Sequence, residues 1–458
     1  MRVGSLVDPA MMAALSTPVR RGLGPALAIC LLLCVATPLA AASDRDRVGP
    51  ATIDAKILEA NCRAAAGYSR RFGGETMLVS WQGRILCEDY NGRFGPGVPH
   101  RLASGTKSFW GVLALAAVED GLFGLDDLVS ATITEWREDP DKSRIRVRQL
   151  LDFTSGLDPA TSALQGRPER SDKFATVLGV RSNAAPGRSF TYGPSHLFAF
   201  GLYLKRRLAA AGRDPDLLHY LRARILDPIG VEIGRWQTDA AGNPIMPAGA
   251  HVAPREWLAF GELVRNGGVW NGRRIIGSGL MRELSAGSQA NPAYGLTFWL
   301  NHGTRQGVEA ADGRDAARRQ KSDEGFIYAA GPRDLLMAAG QGRQRLYIIP
   351  SLQLVVVRQG EGGEGWRDSE FLSILLAGAG SAAAESRQRP TASEALAWRS
   401  VCAKDIQTFC ADAADGAGAL RQCFALHRDQ ISQPCKDAVR ALRAVRQRGD
   451  GGSDARGE

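Results

Sequence analysis

A serine and a lysine three residues apart are the residues of this chain whose types and spacing could carry out nucleophilic chemistry. Ser104 and Lys107 stand in the run Ser-Gly-Thr-Lys, at the beginning of an apolar segment. On a helix, residues i and i+3 share a face, so the Lys107 amine can lie beside the Ser104 hydroxyl. Burial and the positive end of the helix both disfavour an ammonium, which lowers the lysine pKa until the amine can accept a proton. A serine hydroxyl is a poor nucleophile until such a base is close, so the pair predicts acyl transfer through Ser104.

The chain lacks the other common arrangement for a nucleophilic serine. The nucleophile elbow reads G-x-S-x-G, and Ser195, in Gly-Pro-Ser-His-Leu, lacks the closing glycine. An S-x-x-K run also arises by chance, but Lys is scarce here. In a buried helix, Lys107 would be a costly unpaired charge without a partner.

An apolar helix is predicted to position this pair. Apolar residues recur at helical spacing from 106 to 118, and the opposite face is almost free of polar residues. Such a pattern is typical of a helix buried on all sides, and Gly121 is expected to end it. Upstream, the sequence predicts a helix over 53–66 and a β-hairpin with strands at 77–80 and 84–87.

The rest of the chain predicts one α/β sandwich with a helical lobe. Residues 130–302 mix helical periodicity with Gly and Pro, which indicates a mostly helical lobe with loops. Strands are predicted at 325–330, 345–349 and 352–358. Strands at both ends of the domain around central helices indicate an antiparallel sheet that the C-terminal hairpin completes.

Three segments resemble the superfamily of class C β-lactamases, penicillin-binding proteins and serine esterases. Residues 101–107, Arg-Leu-Ala-Ser-Gly-Thr-Lys, with the exit segment 119–127, are similar to its nucleophile helix. Residues 149–157 are similar to L-L-x-[HM]-T-S-G-L, with Phe153 at the His/Met position, and the run Phe-Thr-Tyr at 190–192 is similar to the second motif. The resemblance runs from about residue 101 to residue 358, and it implies a β-lactamase/transpeptidase-like sandwich.

The resemblance also implies a role for Tyr192 as a second proton shuttle between Ser104 and the leaving group. A tyrosine needs a cationic neighbour to act near neutral pH, since its ordinary pKa is about 10. Lys107 would be that neighbour. A proline stands two residues after Tyr192, where the family has an Asn, and Ser195 is a candidate substitute for the missing amide.

The third motif departs from the family. The family places K-T-G or H-x-G on an edge strand, and the matching segment here is 340–344, similar to the esterase-like G-x-G-G-Q. Gln341 stands where the cation would be, which weakens recognition of a substrate carboxylate. Gly342 precedes Arg343, which replaces a glycine and either obstructs the cleft or returns the missing charge. The backbone N–H of Gln344, with that of Ser104, is expected to form the oxyanion hole.

The charge of the chain does not indicate a nucleic-acid partner. The formal net charge is +9, but the Arg residues are scattered and form no stripe with aromatic residues, which favours the codon bias of a GC-rich genome. The six His residues have no metal-ligand spacing. We therefore expect no metal, no cofactor and no nucleic acid, and the expected partner is a small ester, amide or peptide substrate, with the cell wall as a further candidate.

The N-terminus predicts export from a bacterial cell. Two arginines precede an apolar run over 23–35, and small residues follow to Ala42, in the order of a cleaved secretory signal over 1–42. An uncleaved membrane anchor is the alternative, but the run is shorter than the ~20 apolar residues that a span needs. The protein is thus expected to be periplasmic or secreted, without a stable membrane span after cleavage.

Cysteines divide the mature chain into two regions. Of eight cysteines, Cys30 and Cys34 lie in the signal, which leaves an even number for disulfides. Two of these, at 62 and 87, belong to a hydrolase domain over 43–380. A linker is predicted over 381–400, a cysteine-rich helical module over 401–443 and a disordered tail over 444–458. Zinc is the alternative for the module, but it has no C-x2-C pair. The module resembles the cysteine-rich repeat of Golgi-type glycoproteins.

Taken together, the sequence predicts a serine hydrolase that forms an acyl-enzyme on Ser104, with a small ester or amide as substrate. The missing cation of the third motif favours an esterase or amidase over a β-lactamase or a D-Ala-D-Ala carboxypeptidase. A catalytically inactive binding protein with the same fold is the alternative from another class, because Pro194 and Arg343 both depart from the family pattern.

Overall fold

The structure is a computed structural model that describes residues 53–303 without 166, 325–377, 401–410, and 423–436 without 425, 428 and 429. The predicted signal peptide, linker and disordered tail lie outside the described residues, and the module over 401–443 is described only in part. Within the described residues, no helix has the length and apolar character needed to cross a membrane.

A six-stranded antiparallel sheet forms the centre of the hydrolase domain, with the strand order β2-β1-β11-β10-β9-β8. The strands are β1 (Gly74–Trp81), β2 (Arg84–Tyr90), β3 (His100–Arg101), β4 (Arg235–Trp236), β5 (Ala250–Val252), β6 (Val269–Trp270), β7 (Arg273–Arg274), β8 (Trp299–Leu300), β9 (Leu336–Gly340), β10 (Gln344–Ile349) and β11 (Leu354–Gly360). Strands β3, β5 and β4 form a second, small sheet, and β6 pairs with β7. The predicted hairpin over 77–87 and the two strands after residue 344 are confirmed; the hairpin strands and β10 are slightly longer than predicted, and β11 begins and ends two residues later than predicted.

The helices cover the sheet and build the lobe beside it. They are α1 (Ala55–Arg71), α2 (Lys107–Glu119), α3 (Val147–Leu151), α4 (Thr161–Leu164), α5 (Lys173–Leu178), α6 (Ser195–Ala210), α7 (Leu217–Leu221), α8 (Pro254–Arg265), α9 (Ser278–Met281), α10 (Asp368–Leu375) and α11 (Ala403–Phe409). On one face of the sheet, the ring of Phe371 in α10 stacks on Tyr347 of β10, with ring centroids 5.7 Å apart. On the other face, α8 lies so close that a Cβ on Gly261 would meet Val355 at 2.7 Å. The predicted α/β class is confirmed.

Helix α2 is buried from Lys107 to Ala117, as its apolar sequence predicts. Close backbone packing makes this possible, because a Cβ on Gly111 would lie 2.4 Å from the carbonyl oxygen of Leu296. At the other end, the helix stops before Gly121, which has the left-handed φ of +73°. The side chain of Trp110 donates its indole N–H to the Met246 carbonyl at 2.7 Å, which ties α2 to the segment before β5.

The predicted strand over 325–330 is wrong, because these residues form turns and the strand beside β10 is β9. The side chain of Asn301 holds the turn: its amide donates to the Tyr328 carbonyl at 2.8 Å, and its oxygen accepts the Tyr328 N–H at 2.9 Å. These bonds replace the ladder that a strand would need. The five residues of β9, with their two alanines and a glycine, are all buried, and sequence periodicity gives no strong signal for so short a run.

Three disulfides join the six cysteines that follow the predicted signal, in the pairs Cys62–Cys87, Cys402–Cys435 and Cys410–Cys423. The first links α1 to β2. The other two close the cysteine-rich segment around a small buried cluster that includes Ile431. The cysteines of the C-terminal segment are therefore disulfide-linked, as the absence of a C-x2-C pair indicates.

Replacing both Cys62 and Cys87 by Ala is expected to lower the free energy of unfolding by about 2–4 kcal/mol, since the bond restricts the unfolded chain. Urea unfolding followed by circular dichroism measures this loss. The comparison is the wild-type protein under the same non-reducing conditions, which keep the other two disulfides intact in both proteins. An unchanged midpoint in the double variant would show that the bond contributes no stability.

Candidate active site

A sharp turn between the small sheet and helix α2 presents Ser104. Strand β3 ends at Arg101, and the Leu102 N–H then donates to the Ala250 carbonyl at 3.0 Å, which fixes the approach of the chain. Ala103 has a φ of +47°, a left-handed conformation that costs energy in a residue other than glycine. Residues Ala103–Thr106 form one 3-10 turn that continues into α2, and Ser104 remains half-buried on it. The turn therefore leaves the hydroxyl at the surface of an otherwise buried helix start.

The Lys107 amine lies beside this hydroxyl. Its Nζ is 2.8 Å from Ser104 Oγ and 2.9 Å from the carbonyl oxygen of Pro247, to which it donates. Burial lowers the pKa of Lys107 to about 7. A neutral amine has one lone pair and two N–H groups. It can therefore accept the Ser104 proton while it donates to Pro247, which is the arrangement a general base needs.

Tyr192 lies on the loop before α6 and contacts the same amine. The Nζ of Lys107 is 4.9 Å from the centroid of the Tyr192 ring, within the range of a cation–π contact. The ring is half-buried and stacks on Trp299, with centroids 5.6 Å apart. Phe153 and Tyr294 pack against other parts of it. The structure thus brings Ser104, Lys107 and Tyr192 together around one point.

Ser195 begins helix α6 three residues after Tyr192. It is fully buried, and its hydroxyl has no hydrogen-bond partner among the described residues. Pro194 stands at the N-cap position of the helix, where no side chain caps it. Whether Ser195 replaces the family's Asn stays a prediction. The neighbouring His196 is more closely bound into the site, because its ring contacts the backbone of Thr191, next to Tyr192.

The hairpin between β9 and β10 brings Gly340 against the nucleophile turn. A Cβ built on Gly340 would lie 2.1 Å from the Leu102 carbonyl oxygen and 3.1 Å from the backbone N of Ser104. Gln344 is buried on a strand inside the sheet, and its side chain donates to the carbonyl of Gly360 and accepts the Gly360 N–H. Its side chain therefore braces β10 against β11. The N–H of Gln344 as the second oxyanion donor stays a prediction, and the close approach of Gly340 makes the end of β9 a further candidate.

The tip of this hairpin consists of Gln341, Gly342 and Arg343. Gln341 is exposed and the other two residues are half-buried. Gly342 and Arg343 both have left-handed φ angles, +84° and +60°. The conformation at Arg343 is therefore one that favours glycine, which agrees with its replacement of a family glycine. Arg343 thus keeps the glycine-like backbone at a cost, and its side chain extends from the tip.

Two buried arginines donate hydrogen bonds to the backbone of the β9–β10 hairpin. Neither was predicted from the sequence as a residue of the site. Arg345 and Arg358 are cross-strand partners on β10 and β11, and neither is exposed. Arg358 donates to the Arg343 carbonyl at 2.7 Å, while Arg345 pairs with Asp368 at 2.7 Å. Burial lowers the pKa of Arg358 to about 10. The only sequence signal was an arginine in each of two apolar strands, which is unusual for the interior of a sheet.

Replacing Gly340 by Ala is expected to reduce kcat for ester hydrolysis by about 10²-fold. The new methyl group would force the nucleophile turn and β9 apart, and a displacement of about 1 Å at a catalytic centre has an effect of that size. Steady-state kinetics on a nitrophenyl ester measures it.

The matched control is Gly67→Ala in helix α1, where a Cβ would meet nothing within 4 Å. This variant should keep full activity and gain about 0.5–1 kcal/mol of stability, because Ala favours a helix over Gly. Equal activity of the two alanine variants would refute the close approach of β9 to Ser104.

Comparison with known proteins agrees with this geometry. The chain matches the family described as Beta-lactamase over residues 63–358. It is 28% identical over 199 residues to monacolin J acid methylbutanoyltransferase of Aspergillus terreus, covering 39% of this chain and 46% of that protein. It is 28% identical over 159 residues to lovastatin esterase of Penicillium rubens, covering 28% of this chain and 37% of that protein. The chain thus spans less than half the length of these curated relatives.

Solved structures show the same fold at low sequence identity. A penicillin-binding protein homologue from Caulobacter crescentus is similar with a TM-score of 0.52 and 16% identity, covering 71% of this chain and 97% of that chain. EstCE1, a hydrolase with promiscuous acyltransferase activity, is similar with a TM-score of 0.53 and 16% identity, covering 70% and 98%. Because the family match covers more than half of the chain, the chain belongs to the β-lactamase family.

Proposed function

We propose that the protein hydrolyses a small ester or amide through an acyl-enzyme on Ser104. The observation that carries this proposal is the 2.8 Å contact between the Ser104 hydroxyl and a buried amine whose pKa is about 7. An amine that is about half neutral at pH 7 can take the hydroxyl proton as the oxygen attacks. In bulk solvent the same amine would stay protonated and could not.

The proposed reaction has two halves. In the first, Ser104 Oγ bonds to the substrate carbonyl carbon while its proton moves to Lys107, and the carbonyl oxygen becomes an oxyanion. The bond to the leaving group then breaks, and the proton passes through Tyr192 to the departing alcohol or amine. In the second half, water gives a proton to the same base and attacks the acyl carbon. The bond between that carbon and Ser104 Oγ then breaks, the base returns its proton to Oγ, and a carboxylic acid leaves. The family resemblance supports the role of Tyr192.

The oxyanion is proposed to accept hydrogen bonds from two backbone amides. One is the N–H of Ser104 itself, at the beginning of α2. The other comes from Gln344 or from the end of β9, at Gly340 or Gln341, because that segment is packed against the nucleophile turn. Preorganised donors of this kind contribute about 3–4 kcal/mol each in related chemistry. The buried arginines behind the hairpin would hold this strand end in place.

Within the hairpin tip, the neutral Gln341 supports an ester or amide without a carboxylate as the substrate class, while the neighbouring Arg343 is charged. Gln341 occupies the place of the family's cation, so a penicillin or a D-Ala-D-Ala peptide would lose its charged partner. The esterase and acyltransferase relatives support the same class. We also propose export to the periplasm or the medium, because three disulfides form most readily in an oxidising compartment. For the C-terminal segment, the likeness to the Golgi-glycoprotein repeat stays a proposal.

A substrate panel tests the proposed class. The purified protein is assayed with p-nitrophenyl butyrate, nitrocefin and a D-Ala-D-Ala peptide under one set of conditions. We expect kcat/KM for the ester to exceed the other two by at least about tenfold, since a lost charged contact to a substrate carboxylate has about this effect. Faster release of D-Ala or faster opening of nitrocefin would favour a carboxypeptidase or a β-lactamase. Turnover of none of them, without a covalent adduct, would favour a binding protein.

A further inference from the structure

His196 joins the two loops that meet behind Tyr192. Its ring is completely buried in the first turn of α6. The Nε2 atom is 2.7 Å from the Thr191 carbonyl oxygen, and the Nδ1 atom is 2.8 Å from the hydroxyl of Ser155. A carbonyl can only accept, so Nε2 carries the proton, and Nδ1 accepts the Ser155 hydroxyl proton. Both ring nitrogens are therefore satisfied in one fixed tautomer.

The ring is also fixed by stacking. Phe153 lies parallel to it, with centroids 4.9 Å apart and an interplanar angle of 13°. Phe153 also contacts Tyr192, and the centroids of these two rings are 5.4 Å apart. Phe153 has a φ of +61°, and its carbonyl oxygen accepts the Thr191 N–H at 3.0 Å. The residue before Tyr192 is thus bound by both its N–H and its C=O.

This double binding determines where the chain places the tyrosine. Residue 191 can shift only if the bond to Phe153 or the bond to His196 breaks, and Phe153 and His196 are both fully buried. Burial lowers the pKa of His196 to about 4, so the ring stays neutral over the working pH range. A neutral imidazole fixes the backbone of Thr191 better than one that titrates, because its donor and acceptor nitrogens do not change roles between pH 5 and 9.

We infer that His196 is a positioning residue, which holds Tyr192 over the Lys107 amine by fixing the backbone of Thr191. The inference rests on the proposed function, because Tyr192 has to act on the leaving group for its position to matter. It assigns a role to a histidine that neither the S-x-x-K pair nor the tyrosine motif requires. His196 acts through Tyr192, since its own nitrogens are occupied by Thr191 and Ser155.

The test compares three variants at two positions. His196→Phe keeps the aromatic stack on Phe153 but loses both hydrogen bonds, so kcat for p-nitrophenyl butyrate should fall by about 10²-fold with little change in KM. His196→Gln can still donate an amide N–H to the Thr191 carbonyl and should recover at least about tenfold of that loss. Ser155→Ala leaves the bond to Thr191 in place, so its loss should be smaller, about three- to tenfold, in line with one neutral hydrogen bond.

The pH profile separates positioning from a general loss of stability. The face of the Tyr192 ring stabilises the ammonium form of Lys107. A displaced ring should therefore lower the Lys107 pKa and move the rise of kcat/KM in His196→Phe to lower pH by about 0.5 unit, which corresponds to a weak cation–π contact. The matched control is Phe198→Leu, a buried change in the same helix that packs on Phe174 instead. It should lose stability without a shift of the profile.

The outcomes distinguish the inference from the proposed function. Wild-type protein is first labelled with a fluorophosphonate, and the labelled peptide is identified. If Ser104 is labelled and His196→Phe matches Phe198→Leu in kcat and in pH profile, the positioning role is wrong and the hydrolase proposal stands. If wild-type protein shows neither a Ser104 adduct nor turnover, the proposed function is wrong and the role of His196 is overturned with it.

Discussion

A Ser104→Ala variant should lose the proposed ester hydrolysis by a factor of about 10⁴–10⁶ in kcat, because removal of a nucleophile costs this much in serine hydrolases. The change deletes one oxygen from a half-buried side chain, so the fold should not change. Residual turnover would come from the oxyanion donors and from binding alone. Stopped-flow or steady-state release of p-nitrophenol measures the loss directly.

Ser108→Ala is the matched control for this variant. Ser108 lies one turn further along α2, is fully buried, and donates its hydroxyl to the Gly105 carbonyl at 2.8 Å. Loss of this hydroxyl should lower the free energy of unfolding by about 0.5–1.5 kcal/mol, the contribution of one hydrogen bond. The value of kcat should change less than about threefold, because the Ser108 hydroxyl donates to Gly105 and not to a catalytic group. Undiminished turnover by the Ser104 variant would defeat the assignment of the nucleophile.

The second large effect is expected at Lys107. Lys107→Met keeps the length and most of the volume of the side chain but has no amine, so kcat/KM should fall by about 10²–10⁴-fold, the usual contribution of a general base. The wild-type pH profile should rise as the pH passes about 7, where the buried amine loses its proton. The variant should show no such rise. A wild-type profile that is flat between pH 5 and 9 would contradict the role of the lysine.

The same substitution should make the protein more stable. The pKa of Lys107 is about 7 in the folded state and near the ordinary lysine value of 10.5 when unfolded. Between these values the unfolded chain binds more protons than the folded one, so wild-type stability should rise as the pH increases from 7 to 10. At pH 7 the buried lysine therefore costs up to about 4 kcal/mol, which the methionine removes.

Lys173→Met is the control for both effects, since Lys173 is also buried but donates to the Ala163 carbonyl away from Ser104. It should leave kcat/KM unchanged within about twofold, as expected of a site without contact to the catalytic groups. A loss of activity equal to that of Lys107→Met would indicate a general effect of removing buried amines.

The local sequence pattern was sufficient to predict the two site residues at the beginning of α2, Ser104 and Lys107. Ser104 and Lys107 are separated by three residues, and the apolar run that follows them has a single interpretation, so the contact between them could be predicted. The hairpin over 77–87 was predicted for the same reason, because Gln82 and Gly83 mark a turn between alternating residues. Tyr192 required the family resemblance, since nothing in its local sequence indicates which helix it approaches.

Contacts between distant segments could not be predicted in this way. The closeness of Gly340 to Ser104 depends on how β9 pairs within the sheet, and that strand was placed at 325–330 instead. The pairing of Arg345 with Asp368 joins a strand to the helix after the sheet, and no periodicity connects them. In the sequence, nothing distinguishes His196 from an ordinary core histidine. Its proposed role follows only from its contacts with Thr191 and Ser155.

The most direct test of the account is to trap the acyl-enzyme. Protein mixed briefly with p-nitrophenyl butyrate is quenched in acid, and intact mass and peptide mapping are measured for the wild type and for Ser104→Ala. We predict one butyryl group on the wild-type peptide that contains Ser104 and none on the variant. Ester turnover without any acyl group at Ser104, or an acyl group on another residue at equal yield in both proteins, would contradict the account.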